Sequence, residues 1–390
     1  MFDAERLIAD RARAIDASGI RRAFDLAASL TDPINLSIGQ PDFDVPEPIR
    51  EAAIEAIRHG QNKYTQTQGI AALRDRVAAD LAAEFPDTFA SGSGDLHDDL
   101  GVLITSGVSG GLMLTMLATV GPGDEVLIPD PYFVMYKHLV TLAGATPVFV
   151  DTYPDFRLTA ERVEPMLTER TKLVLFNSPS NPTGVVATAA ECEALARLCR
   201  ERGVLLLSDE IYDAFCYPNE VLPGGDEVFA SPCRSSRDVL LLRGFSKTYA
   251  MTGWRMGYAV GPRAILEQMT KLQQYSFVCA PSMAQAAGVA ALDFDVSPHV
   301  EAYRKKRDTV VETLRPHYEL TPPGGAFYAF PKVPESMGVP ASTFIEKAMD
   351  KNVIVIPGSV FSERDTHFRI SYACDEAKLE AGLAALVSLV

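Results

Sequence analysis

The sequence predicts an α/β fold: a mostly parallel central sheet flanked by helices, with a smaller α/β domain beside it. Three observations predict it. Short apolar runs suited to buried strands alternate with helix-patterned segments between about residues 100 and 260. Polar residues and glycines cluster where those runs end, the edge at which parallel sheets build their sites. After about residue 290 the chain changes character, and a charged helix and short alternating strands replace the buried runs. The expected division is a large unit over residues 46–290 and a small unit made from residues 1–45 and 291–390.

In chain order, residues 1–30 are rich in arginine and alanine and read as helical, with Ile8, Ile15 and Ile20 as packing residues. Asn35 to Pro46 is a loop broken by glycine and proline. Pro46 to Gly60 reads as a helix, with Pro48 tolerated in its first turn. A loop carrying Tyr64 ends at Gly69, after which Ile70, Leu73, Val77 and Leu81 recur at helical spacing. Residues 86–100 look like an exposed loop. A strand over Gly101–Thr105 runs into Ser106-Gly-Val-Ser-Gly-Gly111 and an apolar helix from Leu112 to Val120. The small residues of that turn leave backbone N–H groups bare at a helix N-terminus, a ready anion site. Further strands are expected at Glu125–Pro129, Lys172–Phe176, Val204–Ser208, Val239–Leu242 and Tyr258–Gly261, with helices running through Leu142 and over Glu191–Glu201. Val300 to His317 is the charged helix. Ala326–Phe330, Val353–Ile356 and His367–Tyr372 follow as strands, and Leu379, Leu383 and Leu386 share one face of a last helix.

The chemistry sits at the strand ends. Val239–Leu242 opens the stretch Gly244-Phe-Ser-Lys247, continued by Gly253-x-Arg255-x-Gly257. A lysine and an arginine at the exit of a buried strand suit a reactive amine held beside an anion. Burial and a cationic neighbour both favour the unprotonated amine that attacks a carbonyl, while the guanidinium stays charged and holds a phosphate. Either residue alone reads more simply as a solvated surface charge. Asp209 closes the strand Val204–Ser208, where a carboxylate costs desolvation energy unless a cation meets it. Arg369 lies inside an alternating strand, where it needs either a structural ion pair or an anionic ligand. Taken alone, Phe133 reads as core, Tyr64 as a loop tyrosine and Asn181-Pro-Thr-Gly184 as a turn. Ser246-Lys247-Thr248 lacks the glycine before lysine that a Walker loop requires, and no G-x-G-x-x-G follows an early strand.

The motif from Gly244 to Gly257 closely resembles the lysine signature of the class I/II aminotransferases. These are aspartate-aminotransferase-like, fold type I enzymes that use pyridoxal 5′-phosphate (PLP). The other motifs fall in the family's order from about Asn35 to Tyr372. The resemblance implies that Lys247 joins the cofactor and then acts as general base and acid. It implies that Asp209 keeps the ring nitrogen protonated, that Tyr212 and Asn181 reach the ring oxygen, and that Phe133 lies on the ring. The phosphate falls to Ser246, Arg255 and the turn of Ser106, Gly107, Val108 and Ser109, with Tyr64 arriving from the neighbouring subunit of a homodimer. Arg369 grips the substrate α-carboxylate, with Gly39 and Asn181 close by. The implied reaction carries an amino group from an L-amino acid to a 2-oxo acid by a ping-pong route. A carbon–sulfur β-lyase on the same scaffold is the alternative. A transcription-regulator fusion would need a helix-turn-helix for which residues 1–30 are too short. An inert homologue would not keep Lys247, Asp209, Asn181, Tyr212 and Arg255 together. Two departures stand out. Gly244 replaces a phosphate-binding serine found in some members, and no arginine occurs between Lys271 and Gln285, so strict dicarboxylate reading of that type is not expected.

Composition sets the outer bounds. At 390 residues the chain buries a large core, and its 47% hydrophobic and 22% charged content is that of a soluble globular protein. A net charge of −15 with no basic run argues against nucleic acid. It also gives weight to individual arginines, because an acidic protein that binds an anion must gather positive charge locally. The six cysteines lack C-x-x-C spacing and read as reduced thiols of a cytoplasmic protein. The six histidines are dispersed, so no metal site is expected. No signal core or membrane-spanning window is found.

Overall fold

The computed structural model describes residues 2–16, 19, 30–217 and 229–390. Its strands in chain order are β1 (Ile34–Asn35), β2 (Leu100–Ser106), β3 (Glu125–Asp130), β4 (Thr146–Asp151), β5 (Thr171–Asn177), β6 (Leu205–Asp209), β7 (Leu240–Gly244), β8 (Met256–Pro262), β9 (Tyr328–Ala329), β10 (Val353–Ile354), β11 (Ile356–Pro357) and β12 (Phe368–Ser371). Seven of them form the central sheet in the order β2-β8-β7-β6-β5-β3-β4. Neighbours are parallel except for β8, which runs antiparallel to both β2 and β7.

The continuous apolar runs take this position because both faces of the sheet are covered. Alternation along each strand then sorts side chains between two cores. Leu173, Leu175, Leu207, Leu240 and Leu242 enter one, and Val174, Phe176, Leu206 and Leu241 enter the other. Each such side chain contributes roughly 1.5–3 kcal/mol by leaving water. Helices Glu47–Arg58 and Ala71–Glu84 form near the expected bounds, and Leu73, Val77 and Leu81 of the second point inward. Helix Ala189–Arg202 starts on a reciprocal Thr188–Glu191 cap and stops at Gly203, whose φ of +65° suits a residue without a Cβ.

Several expectations need correction. The helix after β2 begins at Gly107 rather than Leu112 and runs to Thr119. Its glycines are tolerated because the helix lies so close on the sheet that a Cβ at Gly111 would stand 2.9 Å from Leu242. Of the helix expected over residues 1–30, the described residues include the 3-10 turn Glu5–Leu7, the short helix Asp10–Arg13 and the helical Gly19, while residues 17–18 and 20–29 lie outside the described residues. Ile8 is 42% exposed and so is no packing residue, Ile15 is half-buried, and Ile20 lies outside the described residues. Val353–Ile356 divides at Val355 because its two halves have different partners, β1 for one and β12 for the other. Strand Ala326–Phe330 shortens to Tyr328–Ala329. The edge strand β4 and helices Arg263–Gln274, Ser282–Ala291 and Ala341–Asp350 were not anticipated.

The N-terminal segment joins the C-terminal part through the parallel pair β1–β10, and β11-β12-β9 form a separate antiparallel sheet. Cys192, Cys199, Cys216 and Cys233 are buried, and Cys279 and Cys374 are half-buried. Among the described residues, no helix is long and apolar enough to cross a membrane.

Candidate active site

Parallel strands end together. β5, β6 and β7 deliver Asn177, Asp209 and Gly244 to one edge of the sheet, and β8 starts back from that edge directly after Arg255. A cavity of about 290 Å³ opens there. Of the residues singled out in the sequence, Gly39, Val108, Ser109, Phe133, Asn181, Asp209, Tyr212, Ser246, Lys247, Arg255 and Arg369 line it. Ser106 and Gly107 are not in the lining, although a Cβ at Gly107 would stand 2.8 Å from Arg255, which is. Tyr64 is not in it and is 85% exposed.

Asp209 is 2% exposed. Tyr136 donates to its Oδ2 at 2.7 Å, and the Ile211 N–H donates to Oδ1 at 3.2 Å. Burial raises its pKa to about 6, against the pull of those bonds and of Lys247. Neither hydrogen-bond partner is a cation, so the carboxylate suits a ligand that brings one, such as a ring N–H⁺. Asn177 ties this strand end to the next turn. Its Nδ2 donates to the Asp209 carbonyl at 2.8 Å, and its Oδ1 accepts from the Asn181 N–H at 3.0 Å. Tyr136 and Asn177 had no assigned role from sequence. No local signal marked Tyr136, whose partner Asp209 lies 73 positions further along the chain.

Lys247 sits on the short helix Phe245–Thr248 that follows β7. Its Nζ donates to the Gly39 carbonyl at 2.6 Å and lies 5.9 Å from the centre of the Tyr212 ring. Burial lowers its pKa to about 8, helped by Arg369 and Arg255 and opposed by Asp209. This is the amine that the sequence argument required, free of its proton for an appreciable fraction of the time near neutral pH.

Arg255 holds a left-handed backbone, φ +56°, and donates to the Thr252 carbonyl at 2.9 Å. Two glycines let it approach the helix start. A Cβ at Gly107, itself at φ +69°, would lie 2.8 Å from Arg255 Nη2, and one at Gly257 would lie 2.7 Å from the Gly107 carbonyl carbon. A guanidinium beside the N-terminus of helix Gly107–Thr119 makes an anion cradle that a side chain would fill. Gly244 has a local reason as well, since a Cβ there would press on Ile211 and Val108 at 3.0 Å each.

Arg369 is 2% exposed. Its Nη1 donates to Asn181 Oδ1 at 3.0 Å and its Nη2 to the Ser37 carbonyl at 2.7 Å. Both acceptors are neutral oxygens, so these bonds do not supply the structural ion pair that was the alternative reading. The guanidinium lies 4.6 Å from the centre of the Tyr328 ring and 4.6 Å from that of Phe361, and its buried Nε has no partner among the described residues. Asn181 spends its carbonyl on Arg369 and keeps its amide N–H₂ for the cavity. Tyr212 and Tyr328 bring their hydroxyls within 2.9 Å of each other. Tyr328 was another residue the sequence did not single out.

The model of the family described as aminotransferase class I and II matches residues 31–386. The aspartate aminotransferase of Pyrococcus abyssi is 35% identical over 390 residues, covering 96% of both chains. Aromatic-amino-acid aminotransferase 2 of Thermococcus litoralis is 34% identical over 390 residues, again with 96% of both covered. The crystal structure of the Thermotoga maritima aspartate aminotransferase superposes with a TM-score of 0.89 at 32% identity, covering 98% of this chain and 99% of that one. Proteins of this family use PLP and work on amino acids and 2-oxo acids. A lowered lysine, a buried acid and two arginines at the carboxyl edge of an α/β sheet agree with a match that spans nearly the whole chain: it belongs to the class I and II aminotransferases and is a transaminase.

Proposed function

We propose that this chain binds PLP through Lys247 and transfers the amino group of an L-amino acid to a 2-oxo acid in the cavity at the sheet edge. The observation that supports this above all is an amine lowered to about 8 in one cavity with buried Asp209. Bound there, PLP would supply an electron sink for the pair left on Cα when its proton departs. Asp209 would hold the protonated ring nitrogen, Phe133 would cover the ring, and Tyr212 and Asn181 would bind the ring oxygen. Arg255, Ser246, Ser109, Val108 and the helix start at Ser106 and Gly107 hold the phosphate. Arg369 orients the substrate by its α-carboxylate, with Asn181 and the backbone of Gly39 beside it. Lys247 Nζ takes the Cα proton and later returns one.

The active unit in this reading is a homodimer in which Tyr64 of one copy reaches the phosphate of the other; its 85% exposure leaves it available for that contact. The domain division at residues 46–290 is supported by the central sheet, all of whose strands lie within it. Relatives are named both for aspartate and for aromatic amino acids, so both classes belong in the assay.

Borohydride treatment of the yellow protein should fix the cofactor to Lys247, located by peptide mapping, and Lys247→Ala should abolish turnover. Aspartate, glutamate, alanine, methionine, phenylalanine and tyrosine should each be offered with a 2-oxo acid. A new amino acid must form only when the oxo acid is present. Release of pyruvate and thiol from cystathionine without any acceptor, and no transfer from the panel, would establish the lyase instead.

A further inference from the structure

The segment Leu36–Val45 has no regular structure, yet its backbone meets two of the cations in the cavity. The Ser37 carbonyl accepts from Arg369 at 2.7 Å and the Gly39 carbonyl accepts from Lys247 at 2.6 Å. A loop can hold carbonyls at such places only if something fixes its course. At its start the fixing is done by backbone: the Leu36 N–H donates to Ile354 at 2.9 Å, and the Leu36 carbonyl accepts from Ser371 at 2.7 Å. At its far end the work falls on one side chain, Asp42, which is not in the cavity lining.

Asp42 is gripped from one helix. Tyr303 donates to Oδ1 at 2.6 Å and accepts from the Asp42 N–H at 3.1 Å, while Lys306 donates to Oδ2 at 2.5 Å and to the Cys374 carbonyl at 2.7 Å. Phe43 adds a stacked contact on His299, with ring centres 3.8 Å apart. His299, Tyr303 and Lys306 all belong to helix Ser297–Leu314. The link from Asp42 back to Gly39 is short and stiff. Pro41 fixes its own φ and restricts Gln40 before it, so a shift at 42 passes to 39 instead of being absorbed. Gly39 has little room for such a shift, because a Cβ built there would already stand 2.7 Å from the Tyr328 hydroxyl.

We infer that Asp42 is a positioning residue: its clamp on helix Ser297–Leu314 sets where the carbonyls of Ser37 and Gly39 stand, and through them the placement of substrate between Lys247 and Arg369. The inference rests on the proposed roles of those two residues. Its discriminating mark is an effect on substrate binding from a residue that does not touch substrate.

The test uses the PLP-loaded enzyme and the variants Asp42→Ala, Asp42→Asn, Tyr303→Phe and Asp42→Ala/Tyr303→Phe. Asp42→Ala should raise KM for donor and acceptor alike by about ten- to a hundred-fold, with a smaller change in kcat. Asp42→Asn keeps an acceptor for Tyr303 and should fall between wild type and Asp42→Ala. The double variant should be worse than Asp42→Ala, which keeps the backbone N–H bond of residue 42 to Tyr303, but by less than the sum of the two single changes, since both break the bond from Tyr303 to Asp42 Oδ1. Amide exchange over residues 37–40, measured without substrate, should quicken in Asp42→Ala while that of residues 353–357 holds. Unchanged KM values and exchange in Asp42→Ala, additive effects in the double variant, or a loss of kcat that follows only a lowered unfolding temperature would each overturn the inference. Should the wild type transfer no amino group at all, the proposed function fails, and the exchange measurement still decides whether Asp42 holds the loop.

Discussion

Asp209 and Lys247 attract each other across the cavity, yet burial moves both toward their neutral forms. For Asp209 this has a consequence for the cofactor-free protein. The folded carboxyl holds its proton up to about 6, against an ordinary value of 3.8. Below the ordinary value both folded and unfolded chains are protonated, and the group has no effect on stability. Above about 6 both are ionised and the folded state carries the full penalty, on the order of 2–3 kcal/mol. Asp209→Asn should therefore raise the unfolding temperature of the cofactor-free protein at pH 8 and leave it unchanged near pH 3. If Asp209 keeps the ring nitrogen of bound PLP protonated, as proposed, the same change should lower kcat by about a hundred-fold or more, because a neutral amide does not hold that proton and the ring becomes a poorer electron sink. Calorimetry at the two pH values and steady-state rates check both halves. Asp209 and Arg369 were legible in the sequence because a charge at the end of a buried strand or inside an alternating one needs a partner, and Lys247, in a polar turn, was legible through the motif from Gly244 to Gly257. Tyr136 was not, since its phenol meets an acid 73 positions away and nothing local marks the pairing.

Glycines decide how closely the elements of the site approach one another. A methyl group at Gly257 would meet the backbone of Gly107 and Val108 at 2.7 and 2.8 Å, and backbone has no rotamer with which to yield. Gly257→Ala should therefore push β8 away from the helix that begins at Gly107, at a cost of about 1–3 kcal/mol. Because Arg255 immediately precedes β8, cofactor affinity should weaken with stability. Denaturant unfolding and PLP titration of the same sample measure the two effects, and intact affinity would show that the cradle tolerates the displacement. At this scale the fully buried strands β5 to β8 were plain in the sequence, since continuous apolar runs bounded by polar turns have few other uses. The division of 353–357 at Val355 was not, because it is set by two different partner strands rather than by the residues themselves. The early start of helix Gly107–Thr119 was masked by glycines whose use is close packing on the sheet.

At the scale of the molecule, some large side chains are left in water, Tyr64 and Tyr275 being each 85% exposed. If Tyr64 serves the neighbouring copy, a chain bearing Tyr64→Ala and one bearing Lys247→Ala should rescue each other. Their hybrid dimer has one intact site, so an equal mixture after subunit exchange should recover about a quarter of wild-type activity. No gain beyond the Tyr64→Ala chain alone would confine that tyrosine to its own subunit. The clamp on Arg369 carries a further consequence. With its central carbon 4.6 Å from the centres of both the Tyr328 and the Phe361 rings, the guanidinium has little freedom to turn, and a substrate carboxylate bound there, as proposed, would meet it edge-on. Lys247 stands in the same cavity. Once the carboxylate and the amino nitrogen of a substrate are both placed, the two remaining groups on Cα have only two arrangements, and only one of them turns the hydrogen toward the lysine. In the proposed reaction the two rings against Arg369 would thus help choose between mirror images: a D-amino acid held at the same two points would present its side chain to Lys247 where the L-isomer presents a proton.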